Sequence, residues 1–191
     1  IGEMAEKMNL SGIKGIMYRA GESLVKTGAR EPLDLNRIPF CYGGVEDFRN
    51  RIIYYESSRG CPFRCSYCLS SVEKTLRFRD VERVKKELAF FLEQEVAQVK
   101  FVDRTFNCRH EHAMEIWKFL IEHDNGVTNF HFEISADLLT DEEIALIGQM
   151  RPGLIQLEIG VQSTNDATIT EIHRTMQLDR LKAVVRSIQE K

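Results

Sequence analysis

Three of the five cysteines stand within eight residues, in Arg59-Gly60-Cys61-Pro62-Phe63-Arg64-Cys65-Ser66-Tyr67-Cys68, spaced C-x3-C-x2-C. Thiolates on one short loop can reach a single metal centre without help from distant chain. Iron–sulfur runs usually supply four cysteines, or three completed by a distant one. This run supplies three and stops. A cubane cluster held by three cysteines has one iron with no protein ligand, and an open coordination position is what a metal catalyst needs and a structural site avoids. The neighbouring residues suit such a loop. Gly60 permits a close backbone turn, and Pro62 stops a strand from continuing. Phe63 and Tyr67 put apolar bulk beside the metal, while Arg59 and Arg64 favour deprotonated thiols.

Two plainer readings compete. The cysteines could be core residues, as buried free cysteines often are. They could also hold a structural zinc, with Cys41, Cys108, His110 or His112 as the fourth ligand. The five histidines show no ligand pattern of their own: His110 and His112 are two apart, which suits no helical metal face, and His123, His131 and His173 are isolated. The basic run Lys74, Arg77, Arg79, Arg83, Lys85 and Lys86 is interleaved with acids and predicts a solvated helix face. Neither a Walker-type loop nor G-x-G-x-x-G is present, so a nucleoside triphosphate or NAD enzyme has no support.

The elements that must position the cysteines follow a regular beat. Ile13–Arg19 and Ser23–Lys26, with Gly21 between them, predict a β-hairpin. Residues 33–40 carry two flanking prolines and predict a linker. Ile52–Tyr55 predicts the strand that delivers the cysteine loop. Asp80 caps a helix with Val81, Val84, Leu88, Phe91 and Leu92 on one face. Strand 99–102 follows, then a helix with Ala113, Ile116, Trp117, Leu120 and Ile121, then strand 130–134. Thr140 and Glu143 form a capping box for a helix with Ile144, Ile147 and Met150. Strand 154–161 and helix-period residues from Ile169 to Ile188 close the series. Four strands alternating with helices argue for an α/β fold of parallel βα units. Ligands in such folds bind at the carboxyl ends of strands. Those ends carry the cysteine loop, Asp103–Asn107, then Glu133, Ser135 and Asp137, and lastly Gly160–Ser163.

The chain has 191 residues, 43% of them hydrophobic, enough for a substantial core. A net charge of −3 offers no general attraction to nucleic acid. Neither a membrane-length apolar run nor a signal-peptide pattern is present. An odd cysteine count with three clustered suits a reducing compartment, so a cytoplasmic location is expected. The opening Ile1-Gly2-Glu3 reads as cut from a longer chain.

The string Ser57-Ser58-Arg59-Gly60-Cys61-Pro62-Phe63-Arg64-Cys65-Ser66-Tyr67-Cys68 resembles the signature of the radical S-adenosylmethionine (SAM) superfamily. It is most similar to members with a cobalamin-binding domain upstream, such as the anaerobic magnesium-protoporphyrin monomethyl ester cyclase group. Glu158-x-Gly160-Val161-Gln162-Ser163 resembles the same superfamily's fourth-strand motif. The resemblance implies a partial parallel (β/α) barrel over residues 50–191, with about four of six βα units, after a hairpin and linker over 1–49. It implies that Cys61, Cys65 and Cys68 hold a 4Fe–4S cluster whose fourth iron binds SAM, and that an electron from the cluster splits SAM into methionine and a 5′-deoxyadenosyl radical. It places Tyr67 beside the adenine, Glu133 at the ribose hydroxyls, Gln162 on SAM, and Arg174, twelve residues further on, at the SAM carboxylate. Asp103 would meet the SAM ammonium, although Val102-Asp103-Arg104-Thr105-Phe106 departs from the family's Gly-Gly-Glu. Each has a plainer alternative: Glu133 as a solvent-side strand residue, Arg174 as an exposed helix residue, Gln162 and Ser163 as a helix cap. The implied partners are a small-molecule substrate, an electron donor such as flavodoxin or ferredoxin, cobalamin through a preceding domain, and a second copy through the open barrel edge. A zinc-stabilised module and an electron-transfer iron–sulfur protein stand as alternatives. The substrate is left open among methylation, ring closure and methylthiolation.

Overall fold

Period-two alternation of apolar residues builds the central strands, and the same alternation decides which face of the sheet the helices cover. The structure, a computed structural model, describes residues 10–44, 47–72 and 75–190. The chain divides into two compact units, Ile1–Arg37 and Ile38–Lys191.

The first unit contains the expected hairpin. Strands β1 (Met17–Ala20) and β2 (Ser23–Lys26) pair antiparallel with Ala20 opposite Ser23. The two-residue turn needs a left-handed residue, and Gly21 supplies it at φ +62°. The predicted linker over 33–40 spans the boundary between the units and contains a 3-10 turn, Leu35–Arg37.

The second unit begins its sheet with β3 (Ile52–Tyr55). A two-stranded antiparallel ribbon of β4 (Ser58–Arg59) and β5 (Arg77–Phe78) then brackets the cysteine loop. Helix α1 (Val81–Glu93), β6 (Gln98–Phe101), α2 (His110–Glu122), β7 (Asn129–Ile134), α3 (Asp141–Ile147), β8 (Ile155–Ile159), α4 (Asp166–Glu171) and α5 (Leu178–Gln189) follow. The four parallel strands lie in the order β3-β6-β7-β8. The order never reverses, so right-handed crossovers carry every helix to the same side of the sheet. A doubly wound fold would reverse; a barrel wall does not.

The helix-side face is the core. Ile53, Tyr55, Val99, Phe101, Phe130 and Phe132 point into it, against Val84, Leu88 and Phe91 of α1 and Ile116, Trp117 and Leu120 of α2. Phe106, just past β6, packs on Phe132 with ring centroids 4.3 Å apart and on Trp117 at 5.4 Å. This aromatic stack fixes the loop after β6 from behind. Both predicted caps form: Asp80 accepts from the Arg83 amide, and Thr140 and Glu143 make a reciprocal capping box. Each contributes about 1 kcal/mol of helix stability.

The basic run forms a solvated helix face only in part, with Lys86 exposed. Lys74 lies outside the described residues, and Arg77 lies on β5. Arg79 is only 8% exposed and pairs with Glu87 at 2.9 Å. Arg83 joins Glu87 at 2.9 Å and the Tyr55 hydroxyl donates to it at 2.7 Å. Arg79 and Arg83 both donate to the Ile38 carbonyl, at 2.9 and 2.7 Å. A buried carboxylate needs such partners because leaving it unpaired costs several kcal/mol, on the order of 3–5. Sequence spacing cannot reveal that Glu87, on the same helix, turns inward and takes two arginines with it. Lys85 pairs with Glu82 of its own helix at 3.1 Å and bridges α1 to α2 through Glu115 at 2.8 Å.

Candidate functional site

At the carboxyl ends of the strands lies a cavity of about 240 Å³. From the cysteine loop it is lined by Cys61, Phe63, Cys65, Tyr67, Cys68 and Ser70. The loop after β6 adds Arg104 and Thr105; β7 adds Glu133, Ile134 and Ser135. The end of β8 adds Glu158, Gly160 and Gln162, and the turn after α4 adds Arg174. Of the eight residues singled out by sequence, seven meet at this cavity.

The cysteine loop is held at both ends. Gly60 takes φ +105°, and a Cβ there would stand 2.6 Å from the Thr75 carbonyl oxygen, two residues before the returning strand of the ribbon. Within the loop, Cys68 N–H donates to the Cys65 carbonyl at 3.1 Å. The Ser66 amide donates to the Ile172 carbonyl at 2.9 Å, tying the loop to the segment that carries Arg174. Gly60→Ala is therefore expected to cost about 1–3 kcal/mol of stability, the usual range for a strained backbone position. Denaturant unfolding of the purified variant would measure it, and an unchanged midpoint would contradict the geometry.

Arg174 is aimed by the chain reversal after α4. Asn165 caps α4 by accepting from the Thr168 amide, so Gln162 and Ser163 do not serve as the cap. His173 takes φ +53°, and the Arg174 amide donates back to the Ile169 carbonyl at 3.1 Å. This is a Schellman-type ending with a non-glycine in the left-handed position. Arg174 Nη2 donates to the Gly160 carbonyl at 2.8 Å, and its guanidinium lies 5.6 Å from the Phe63 ring centroid. Its Nε is buried with no hydrogen-bond partner. An unsatisfied guanidinium N–H beside a cavity suits a carboxylate acceptor. The alternative of an exposed helix arginine is set aside by this position.

Gln162 adopts φ +58° and folds its side-chain amide over Gly160, where a Cβ would meet Nε2 at 2.7 Å. Tyr67 is 55% exposed at the cavity mouth. Partial desolvation, then the nearby Cys65 thiol, push its hydroxyl above the ordinary tyrosine range.

The cavity floor is the helix-free face of the sheet. Lys100 reaches Glu158 at 3.1 Å and Glu133 at 3.8 Å, and His131 Nε2 lies 3.0 Å from Glu158. The hydrogen bond to Lys100 holds Glu158 below the usual carboxylate range. Sequence reasoning did not select Lys100, His131, Glu158 or Thr105. The available signal was strand parity: Lys100, His131, Glu133 and Glu158 alternate with core residues, so they share one face.

Asp103 is a correction. It is fully buried and does not line the cavity, so the structure does not bring it to the place expected for the SAM ammonium. Its oxygens accept from the Ser57 amide at 2.8 Å and from the Ser57 and Ser58 hydroxyls at 2.6 Å each. Burial raises its pKa to about 6, opposed by those hydrogen bonds. Two polar residues at the third strand end serve structure as well: Ser135 donates through Oγ to Asp137 at 2.7 Å, and its backbone is clasped by the Asn107 amide at 2.9 and 3.0 Å. Arg59 is paired with Glu56.

The residues fit a cluster better than a single ion. All five cysteines are free thiols. Among the described residues no three His, Cys, Asp or Glu side chains gather closely enough to hold one metal ion. Cluster cysteines each take a different iron and so surround a volume, whereas zinc ligands converge on a point. None of the four suggested zinc-completing residues lines the cavity. Burial, then the charges of Asp103 and Cys61, push the Cys108 thiol up to about 11. Burial, then Arg109, push His112 down to about 4, and its Nε2 lies 3.1 Å from Ser57 Oγ. His110 faces Glu143 at 3.1 Å, and Cys41 is exposed.

Comparison with known proteins agrees with this geometry. The family description "Radical SAM superfamily" matches residues 55–191. The chain belongs to the radical SAM superfamily. Among radical SAM relatives, the anaerobic magnesium-protoporphyrin IX monomethyl ester cyclase of Rubrivivax gelatinosus is 24% identical over 189 residues, covering 93% of this chain and 34% of that protein. The cyclase of the same name from Synechocystis is 21% identical, covering 100% of this chain and 40% of that protein. The chain thus spans well under half the length of these relatives. The radical SAM methyltransferase TsrM from Kitasatospora setae, solved with tryptophan substrate and a SAM analogue, shares the fold. It superposes with a TM-score of 0.74 at 15% identity, over 99% of this chain and 41% of that chain. The partial-barrel expectation agrees with these matches and with the unreversed parallel sheet.

Proposed function

We propose that this chain is the part of a radical SAM enzyme that binds a 4Fe–4S cluster and SAM and cleaves SAM reductively. The single observation that carries the reading is the shared cavity: three free thiols on one side, and Glu133, Gln162 and Arg174 on the other. Cys61, Cys65 and Cys68 hold the cluster. Arg174 binds the SAM carboxylate through its unpartnered Nε, Glu133 accepts from the ribose hydroxyls, Gln162 contacts SAM, and Tyr67 packs beside the adenine at the mouth. When bound, the reduced cluster supplies the electron that splits SAM into methionine and a 5′-deoxyadenosyl radical. The chain's own residues orient SAM and exclude water, which protects a reactive species from side reactions.

The catalytic part is assigned to residues 50–191, and 1–49 to the hairpin and linker. The substrate is a small molecule and the electron donor a flavodoxin or ferredoxin. Cobalamin use by the full-length protein is supported by the relatives, since a TsrM structure is described with cobalamin and a [4Fe-4S] cluster bound. Among the described residues no helix is long and apolar enough to cross a membrane; a cytoplasmic location and pairing of copies through an open barrel edge belong to the proposal.

Anaerobic reconstitution, followed by iron and sulfide counts and electron paramagnetic resonance with and without SAM, tests the reading. About four irons per chain and a signal altered by SAM are expected. A signal indifferent to SAM would favour an electron carrier, and zinc in place of iron would overturn the enzyme.

A further inference from the structure

Asp103 is the most completely enclosed carboxylate of the strand-end loops, and the proposed binding of SAM does not use it. Among the described residues, its hydrogen bonds come from two consecutive residues, Ser57 and Ser58. Ser57 immediately precedes, and Ser58 starts, the ribbon strand that becomes the cysteine loop, with Cys61 three positions after Ser58. A buried carboxylate is costly unless its lone pairs are filled. Here they are filled by one backbone amide and two hydroxyls, which fixes both the path of the chain and the direction of two side chains.

The clasp extends in both directions. Ser57 Oγ lies 3.1 Å from His112 Nε2, in the first turn of α2. With the Ser57 hydroxyl proton directed at Asp103, the imidazole donates to Ser57, and burial keeps that ring neutral. Two residues beyond Asp103, the Thr105 hydroxyl lies 3.6 Å from the Cys61 sulfur, and Thr105 itself is buried. The turn after β6 therefore grips the cysteine loop at its root and at its first thiol. Phe106 locks that turn into the aromatic core.

We infer that Asp103 is a positioning residue for the metal centre: through Ser57 and Ser58 it sets where Cys61 stands. This rests on the cluster reading above. Asp103 touches neither cluster nor SAM; it acts on the loop that carries the ligand.

The test compares wild type, Asp103→Ala, Asp103→Asn and Ser58→Ala after anaerobic reconstitution. It is run at a temperature where circular dichroism shows each variant folded. Two readouts are taken without turnover: the rate of iron loss to a chelator, and the paramagnetic resonance of the reduced cluster without SAM. Asp103→Ala is expected to lose iron roughly 10-fold faster, at the low end for loss of a residue supporting a metal ligand, and to shift the signal. Asp103→Asn keeps an oxygen for the Ser57 amide and offers its own amide to the hydroxyls, so it restores both readouts towards wild type. A folded Asp103→Ala with the wild-type rate and spectrum overturns the inference. An Asp103→Asn as defective as Asp103→Ala overturns it too, since charge and not placement would then matter. If Asp103→Ala does not fold, Ser58→Ala decides: faster iron loss supports the clasp, and wild-type behaviour sinks it. Wild type that takes up no iron removes the cluster reading and this inference together, whereas a normal wild-type cluster with unaffected variants removes only the inference.

Discussion

Alanine in place of any one of Cys61, Cys65 or Cys68 is expected to abolish both cluster assembly and deoxyadenosine formation. The reason is the ligand count. A second cysteine source would have to lie on the cavity, and neither Cys41 nor Cys108 does. With Cys108 held protonated by burial and by Asp103, it is a poor substitute for a thiolate ligand. Two remaining cysteines would leave two irons without protein ligands, and the binding free energy of such a site falls steeply with each ligand lost. The three variants should remain folded, because only Cys65 is buried and the sheet's core lies on the other face. Iron and sulfide counts after anaerobic reconstitution check the first claim, and chromatography of deoxyadenosine under reducing conditions the second. Retained turnover in a cysteine variant would refute the assignment of these three as ligands.

Arg174→Ala is expected to weaken SAM binding by about 10- to 150-fold, which corresponds to roughly 1.5–3 kcal/mol for hydrogen bonds to a charged partner. Arg174 does two things in this structure. Nη2 holds the Gly160 carbonyl, and Nε is buried with no partner. The first fixes the end of β8, on which Gln162 folds back; the second is available to a ligand carboxylate. Arg174→Lys separates the roles. A lysine keeps one charge but lacks the planar fork, so it should recover only part of the affinity. The cluster itself should assemble normally in both variants, because Arg174 supplies no metal ligand. Titration of the reconstituted protein with SAM, followed by paramagnetic resonance, measures the shift. Wild-type affinity in Arg174→Ala would place the carboxylate elsewhere.

The two predictions separate the site into halves with different origins in the chain. The proposed metal half is local: three cysteines within eight residues, whose assigned role depends on spacing and on a glycine that lets the loop leave its strand. The proposed SAM half is assembled from β7, β8 and the turn after α4, separated by tens of residues from the cysteine loop. Two of its lining glutamates, Glu133 and Glu158 on different strands, are joined by Lys100 from β6. The Lys100 hydrogen bond holds Glu158 below the usual carboxylate range, and this grouping of charges exists only when the strands align.

Much of this was legible in the amino-acid sequence, and the physical reasons differ by element. Strand and helix periods were legible because burial imposes them locally: the Val84, Leu88 and Phe91 stripe and the Phe130, Phe132 and Ile134 alternation each report one buried face. The Asp80 cap and the Thr140–Glu143 box were legible because a cap is made within four residues. The parallel sheet followed from alternation of the two periods, and its helix-free face could be named by parity. What the sequence could not decide was the partner of each buried charge, because a partner is chosen by proximity in space. Arg79 belonged by spacing to a wet helix face, yet it lies against Glu87 under Tyr55. Asp103 stood by position at a strand end facing the ligand, yet its side chain turns back to Ser57 and Ser58, 46 and 45 residues earlier. A strand end fixes where the backbone arrives but not which way the next side chain turns, and there the tertiary structure turned Asp103 away from the cavity lining and onto the start of the cysteine loop.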